Sequence, residues 1–134
     1  MPAHFLATLP NFLAYLGTAL ALFAVFVTIY LYVTPYDEVA LIRNNNTAAA
    51  ISLSGALLGF AMPIANVIAH SDTLLDLAFW GVVAGTVQLL AWMLARVALP
   101  NLQEDIAAGR AAPATFVAAL SITVGLLNAA CMTY

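Results

Sequence analysis

Four stretches of the chain, about Asn11 to Val33, Thr47 to Ala69, Leu77 to Leu99 and Pro113 to Thr133, each run for some twenty residues with hardly a charge among them. As an α-helix each reaches across a hydrocarbon core of about 30 Å. In lipid the backbone has no water to bond, so a single apolar segment of this length satisfies its own N–H and C=O groups only as a helix. The pattern predicts an all-α membrane protein with four transmembrane helices. Composition agrees: 7% of the residues are charged and 65% hydrophobic, whereas soluble domains carry roughly a quarter charged residues. The spans use most of the 134 residues, which leaves one integral membrane domain and no separate soluble one. Any chemistry is then confined to the bilayer, its surface or a partner.

The first span has no basic segment before it and no small-x-small cleavage pattern after it, so it reads as a retained helix and not a signal peptide. The arginines are Arg43, Arg96 and Arg110, and lysine is absent. All three arginines fall at the connections between spans 1 and 2 or between spans 3 and 4. By the positive-inside bias that face is cytoplasmic, and both termini and the His70–Ser71–Asp72 turn face the other side. Three scattered arginines make no phosphate-tracking patch, so no nucleic acid partner is expected. The lone cysteine, Cys131, allows no internal disulfide and no CxxC metal site, and reads as a small packing residue. Neither metal nor cofactor is expected. Sequences of the H-E-x-x-H, G-x-S-x-G and phosphate-loop kinds are missing, which argues against an enzyme.

Read in order, span 1 is expected to open after Pro10 and to stop at Pro35, with Tyr30, Tyr32 and Tyr36 at the interface. Tyr36 to Arg43 mixes acidic, apolar and basic residues and predicts a short interfacial helix. Asn44, Asn45 and Asn46 follow, and because asparagine tolerates left-handed backbone and caps helices, span 2 is expected to start at Asn46 or Thr47. The plan then recurs at an offset of about 65 residues: Pro100 answers Pro35, Gln103–Glu104–Asp105–Ile106 answers Asp37–Glu38, and Gly125 answers Gly59. This predicts two parallel-repeat helical hairpins, about residues 10–70 and 74–134, related by a pseudo-two-fold axis along the membrane normal.

At about 100° per residue, Ala48, Ser52, Gly55, Gly59, Pro63, Asn66 and His70 share one face of span 2. Ala114, Ala118, Ser121, Gly125 and Asn128 share one face of span 4; Gly81, Gly85, Gln88, Trp92 and Arg96 one of span 3; Gly17, Ala21, Ala24 and Thr28 one of span 1. Helices in lipid associate where small residues let backbones approach, so these stripes are expected to be bundle seams, with Gly55-x3-Gly59 and Gly81-x3-Gly85 as approach sites. Pro63 frees the carbonyl of Gly59 and should loosen span 2, with Asn66 as the nearest polar partner. Gln88 and Asn128 need polar partners inside the bundle, for which interhelical bonding is an adequate role. The functional alternative is that Asn66, Gln88 and Asn128 line one outward-facing polar cleft.

No Asp, Glu or Lys falls fully inside a span, which argues against a proton-coupled carrier built on a buried carboxylate. Glu38 and Glu104 occupy equivalent repeat positions and read as solvated loop charges. Arg96 is placed to snorkel to the interface, Arg43 to meet Asp37, Glu38 or a lipid phosphate, and His70 to bond a headgroup.

The strings Thr34-Pro35-Tyr36-Asp37-Glu38 and Leu41-Ile42-Arg43-Asn44-Asn45-Asn46-Thr47-Ala48, then Ser54-Gly55-x3-Gly59-x3-Pro63 and Asn128-Ala129-Ala130-Cys131-Met132-Thr133-Tyr134, resemble the YjfL-type family of small bacterial inner-membrane proteins of unknown function. The resemblance covers nearly the whole chain. It implies a four-helix inner-membrane protein of two tandem hairpins and no particular activity, with an envelope-stress setting by association alone. Two functions are therefore carried forward. One is a non-enzymatic module, homo-oligomeric, whose loop face of Asp37, Glu38, Arg43, Asn44, Asn45 and Asn46 meets a cytoplasmic membrane-stress partner. The other is a small ion or polyamine permeation protein whose path follows Ser52, Gly55, Gly59, Pro63 and Asn66, with Gln88 and Asn128 beside it.

Overall fold

The computed structural model describes the backbone of residues 2–71 and 73–132, and the side chains from Phe5 onward. Asp72 in the turn and Thr133, at the expected end of span 4, lie outside the described residues. The elements are α1 (Pro2–Val33), α2 (Glu38–Arg43), α3 (Thr47–His70), α4 (Leu74–Ala98), α5 (Leu102–Ala107) and α6 (Ala111–Cys131). The described residues form no strand. The four long helices are all apolar enough to cross a membrane, and the protein is a multi-pass membrane protein. α2 and α5 lie at one end of the bundle, called the loop end here.

α1 begins nine residues earlier than expected, because Pro10 sits inside it rather than before it. Proline costs one backbone bond, but leaving the helix in an apolar medium would strand several more, so the helix runs through. Turn chemistry at the loop end follows the asparagines. Asp37 Oδ1 accepts from the Ala40 amide at 3.2 Å and starts α2. Asn45 takes the left-handed conformation at φ 66°. Asn46 caps α3, its Oδ1 accepting from the Ala49 amide at 3.0 Å. Gly109 supplies the matching left-handed residue, at φ 81°, between α5 and α6.

The tightest contact is α3 against α6. A Cβ added at Gly55 would strike the Cα of Ala118, one at Gly59 the carbonyl oxygen of Ser121, and one at Gly125 the carbonyl oxygen of Gly59. Only glycine lets these backbones meet, and small residues set the seam where lipid offers no hydrophobic drive. The Gly59 carbonyl that Pro63 cannot bond is therefore turned onto the backbone of Gly125. Asn66 does not serve it, and instead donates from Nδ2 to the Ala129 carbonyl of α6 at 2.7 Å.

α1 packs the other way round. Its small residues Gly17, Ala21, Ala24 and Thr28 are exposed, and nothing lies within 4 Å of where a Gly17 Cβ would be. The buried face is Ala19, Phe26 and Tyr30. Phe26 stacks on Phe60 of α3 at 4.4 Å between centroids and 8° between planes, and Phe23 meets the same ring edge-on at 4.8 Å, contacts worth about 0.5–1.5 kcal/mol each. The glycines of α4 make the holes for this ridge: Leu22 fills the space at Gly81, and Phe26 approaches Gly85. Gly81-x3-Gly85 is thus a socket for large side chains of α1 rather than a backbone crossing. The expected small seam on α1 faces outward because its aromatic face has more surface to bring into contact.

Candidate functional site

The expected polar cleft does not form as one feature. Gln88 is buried in mid-bundle, where its Nε2 donates to the Ser121 carbonyl at 3.1 Å. Its amide also lies 2.8 Å from where a Gly59 Cβ would stand. Asn66 lies at the opposite end from α2, lining a shallow depression with Met62, His70, Leu126 and Ala129. Asn128 is half-buried, with its Nδ2 unbonded. Ser52, Gly55, Gly59 and Pro63 are all buried, and Gly55 and Gly59 lie directly against α6, so the stripe of α3 is filled by side chains and backbone.

The loop face divides in two. Asp37, Arg43, Asn44 and Asn45 are exposed. Asn46 is structural: besides capping α3 it donates from Nδ2 to the Ile106 carbonyl at 3.0 Å and the Ala107 carbonyl at 3.3 Å, binding the two loops together. Arg110 Nη1 donates to Asp105 Oδ1 at 2.6 Å across the second loop.

Glu38 corrects the reading of a solvated loop charge: its exposure is 1%. Glu104, its expected counterpart, is exposed. The geometry of α2 explains the difference. Glu38 and Leu41 are three residues apart on one face of the helix, and Leu41 packs against the core. Asp37 is held in the cap, so the next side chain is turned inward. Around Glu38 stand Tyr30 of α1 and Thr34 and Tyr36 of the linker, and beside the tyrosine phenols stand Ser52 of α3 and Trp92 of α4. Tyr30, Ser52 and Trp92 are at most 2% exposed. The tyrosine hydroxyls, Ser52 Oγ and Trp92 Nε1 come close enough to influence one another. Yet none of them, nor either carboxylate oxygen of Glu38, completes a hydrogen bond to another protein group. Gln88 Oε1, one turn from Trp92, is unbonded as well.

Burial is what perturbs these groups. Loss of water raises Glu38 from 4.5 to about 7, against a smaller opposing pull from the Thr34 hydroxyl. Burial, then the nearby Glu38 charge, pushes the Tyr36 phenol up to about 12. No arginine forms an ion pair with Glu38 among the described residues; Arg96 is exposed and lies over the Trp92 ring at 5.7 Å. The cluster can hold a proton. The described residues contain no group of three or more His, Cys, Asp or Glu side chains suited to a metal. Sequence reasoning missed the cluster because it scanned the spans for carboxylates. The available signal was the i, i+3 pairing of Glu38 with Leu41 in a helix already expected to be amphipathic.

Comparison with known proteins places the whole chain. It is 37% identical over 131 residues to the UPF0719 inner membrane protein YjfL of Escherichia coli K12, spanning 98% of this chain and 99% of that one. It is 27% identical over 92 residues to the UPF0719 transmembrane protein YshE of Bacillus subtilis, 69% of each. No solved structure matches. A family model described as a domain of unknown function, DUF350, matches residues 4–132, and with a full-length relative above 30% identity beside it, the chain belongs to the DUF350 family.

Proposed function

We propose that the protein is a non-enzymatic module of the bacterial inner membrane that presents its loop end to a cytoplasmic partner, in maintenance of the envelope or its response to membrane stress. The observation that carries the reading is the Asn46 clamp, which ties α2 and α5 into one platform while leaving Asp37, Arg43, Asn44 and Asn45 exposed. A rigid, polar, solvent-facing surface suits protein recognition better than permeation. The permeation reading loses ground because its path along α3 is occupied by α6. On this proposal the termini are periplasmic, following the arginine bias, and the two hairpins are tandem repeats. The protein is also homo-oligomeric, using the exposed small face of α1, a surface of the kind that joins helices in lipid.

In-cell photo-crosslinking from position 44 tests the partner. A discrete adduct is expected, lost in Arg43→Ala, with no such adduct from the exposed apolar position 58. Equal crosslinking from both positions, or none from 44, overturns the proposal.

A further inference from the structure

The structure assigns Glu38 a second role: we infer that its carboxyl is an exchangeable proton-binding site at the loop end, protonated while α2 is docked and deprotonated when α2 lifts towards water. The inference goes beyond the partner reading and stands whatever docks on the loop face.

It rests on the geometry of the cluster. Among the described residues, a carboxylate with 1% exposure, no ion pair with a cation and no donor completing a bond to either oxygen has little to replace its lost hydration. An isolated ionised carboxylate in such a place is neutralised instead. The Thr34 hydroxyl favours the charged form, and the loss of water outweighs it. Near it are the phenols of Tyr30 and Tyr36, which the same burial keeps protonated and neutral, and the neutral Thr34, with Ser52 and Trp92 beside the phenols. The charged residues of neighbouring elements look elsewhere. On α2, Asp37 accepts the Ala40 amide and Arg43 is exposed. On α4, Arg96 covers the indole. At the second loop, Glu104 is exposed, and Asp105 is engaged by Arg110. α3 and α6 bring no charged side chain to the cluster.

Protonation also suits the hydrogen-bonding inventory. An ionised carboxylate only accepts, whereas a protonated one both donates and accepts among hydroxyls that do the same. On release the O–H bond breaks, the electron pair stays on Glu38 and the proton passes to water. The resulting charge is stable only where water reaches it, which requires the first turn of α2 to move outward. α2 can do this cheaply. It is six residues long, and its first turn follows Pro35 and Tyr36, outside the long helices, so that turn can move while the Asn46 clamp at the far end of α2 stays in place.

The chain offers an unusually clean test, because Glu38 and Glu104 are its two glutamates. Protein labelled with 13C at the glutamate carboxyl, in lipid nanodiscs, should give two carboxyl resonances, one of which disappears in Glu104→Gln, a change at an exposed loop residue. The remaining signal should titrate with a midpoint near 7, the value its burial sets. A midpoint near 4.3, where a water-exposed glutamate titrates, overturns the site. The coupling to α2 has its own readout. Hydrogen exchange at the Leu41 and Asn44 amides, corrected for intrinsic pH dependence, should accelerate at least tenfold between pH 6 and pH 8 in the native chain. In Glu38→Gln it should change less than twofold. If both chains show the same corrected pH dependence, or neither responds, α2 is not proton-coupled and the inference fails in that part.

Discussion

The two short helices at the loop end occupy the same place in a plan of long, short and long helix, yet they fill it differently. Each turns its first residue into the bundle: Glu38 in α2 and Leu102 in α5, both 1% exposed. Leu102 joins Ile106 in the apolar core, and α5 is pinned from outside by the Arg110–Asp105 pair. Glu38 instead sits among the hydroxyls of Tyr30, Thr34 and Tyr36, which leave it unbonded. One loop is thus seated by packing that does not depend on pH, and the other by a group whose charge state decides whether burial is tolerable. Two loops in corresponding places can differ in this way because burial of a first-turn residue is set by helix geometry, while what that burial costs is set by the side chain.

The comparison is broken most severely by giving α5 the residue of α2. Leu102→Glu buries a carboxylate in an apolar site with no hydroxyls around it, and should cost about 3–5 kcal/mol, as uncompensated buried charge does. The reverse change, Glu38→Leu, removes a buried titratable group and should be neutral or stabilising at pH 8. Denaturation by SDS from a mild detergent measures both. If the two variants lose stability equally, the loops are not different in kind.

Next in size is the pH dependence of the native chain. The folded pKa of Glu38, about 7, lies above the unfolded 4.5, so between those values the folded chain keeps a proton that the unfolded chain has released. The contribution is fully present below about 4.5, is lost as pH rises to about 7, and is flat above that. The loss amounts to ~3 kcal/mol at most. Glu38→Gln should remove this slope. Denaturation midpoints between pH 5 and pH 8 check it, and a native chain that gains stability over that window contradicts the assignment.

These contrasts also mark how far the sequence could be read. Four long helices, the turn at Pro35, the left-handed asparagine and the Asn46 cap were legible because each rests on a local rule of length, φ or capping. The close approach of Gly55 and Gly59 was legible as a small seam, but not its partner, since α6 and α4 both carry glycine faces. α1 was misread for a related reason: small residues mark where a backbone can approach, not whether a neighbour's large side chains make better use of the space. Glu38 was obscured by its class. A carboxylate in a connecting segment reads as solvated by default, and only the packing of α2 against α3 turns it inside.

Asn46 joins the two loops, so its removal should blur their difference by loosening both. Asn46→Ala loses the cap on α3, typically ~1 kcal/mol, and the bonds to the Ile106 and Ala107 carbonyls, about 1 kcal/mol together on the net scale of such bonds. A total near 2 kcal/mol is expected, with faster hydrogen exchange in α2 and α5 alike. Faster exchange in α2 alone would place the clamp's effect on the cap and not on the link between the loops.

The smallest effect is expected where the contact looks strongest. Arg110 and Asp105 meet at 2.6 Å, but the arginine side chain is 68% exposed, and exposed pairs are worth about 0–1 kcal/mol because water and salt screen the attraction. Arg110→Ala should therefore shift the SDS midpoint barely, and the shift should vanish at high salt. α5 would stay docked, since Leu102 and Ile106 hold it from below at 1% and 0% exposure. If Arg110→Ala frees α5 as deprotonation is expected to free α2, then both loops are held by charge, and packing is not what separates them. Hydrogen exchange at the Asp105 amide, which donates to the Asn101 carbonyl at 2.9 Å, decides between these outcomes: protection retained at pH 8 means that apolar burial alone seats this loop.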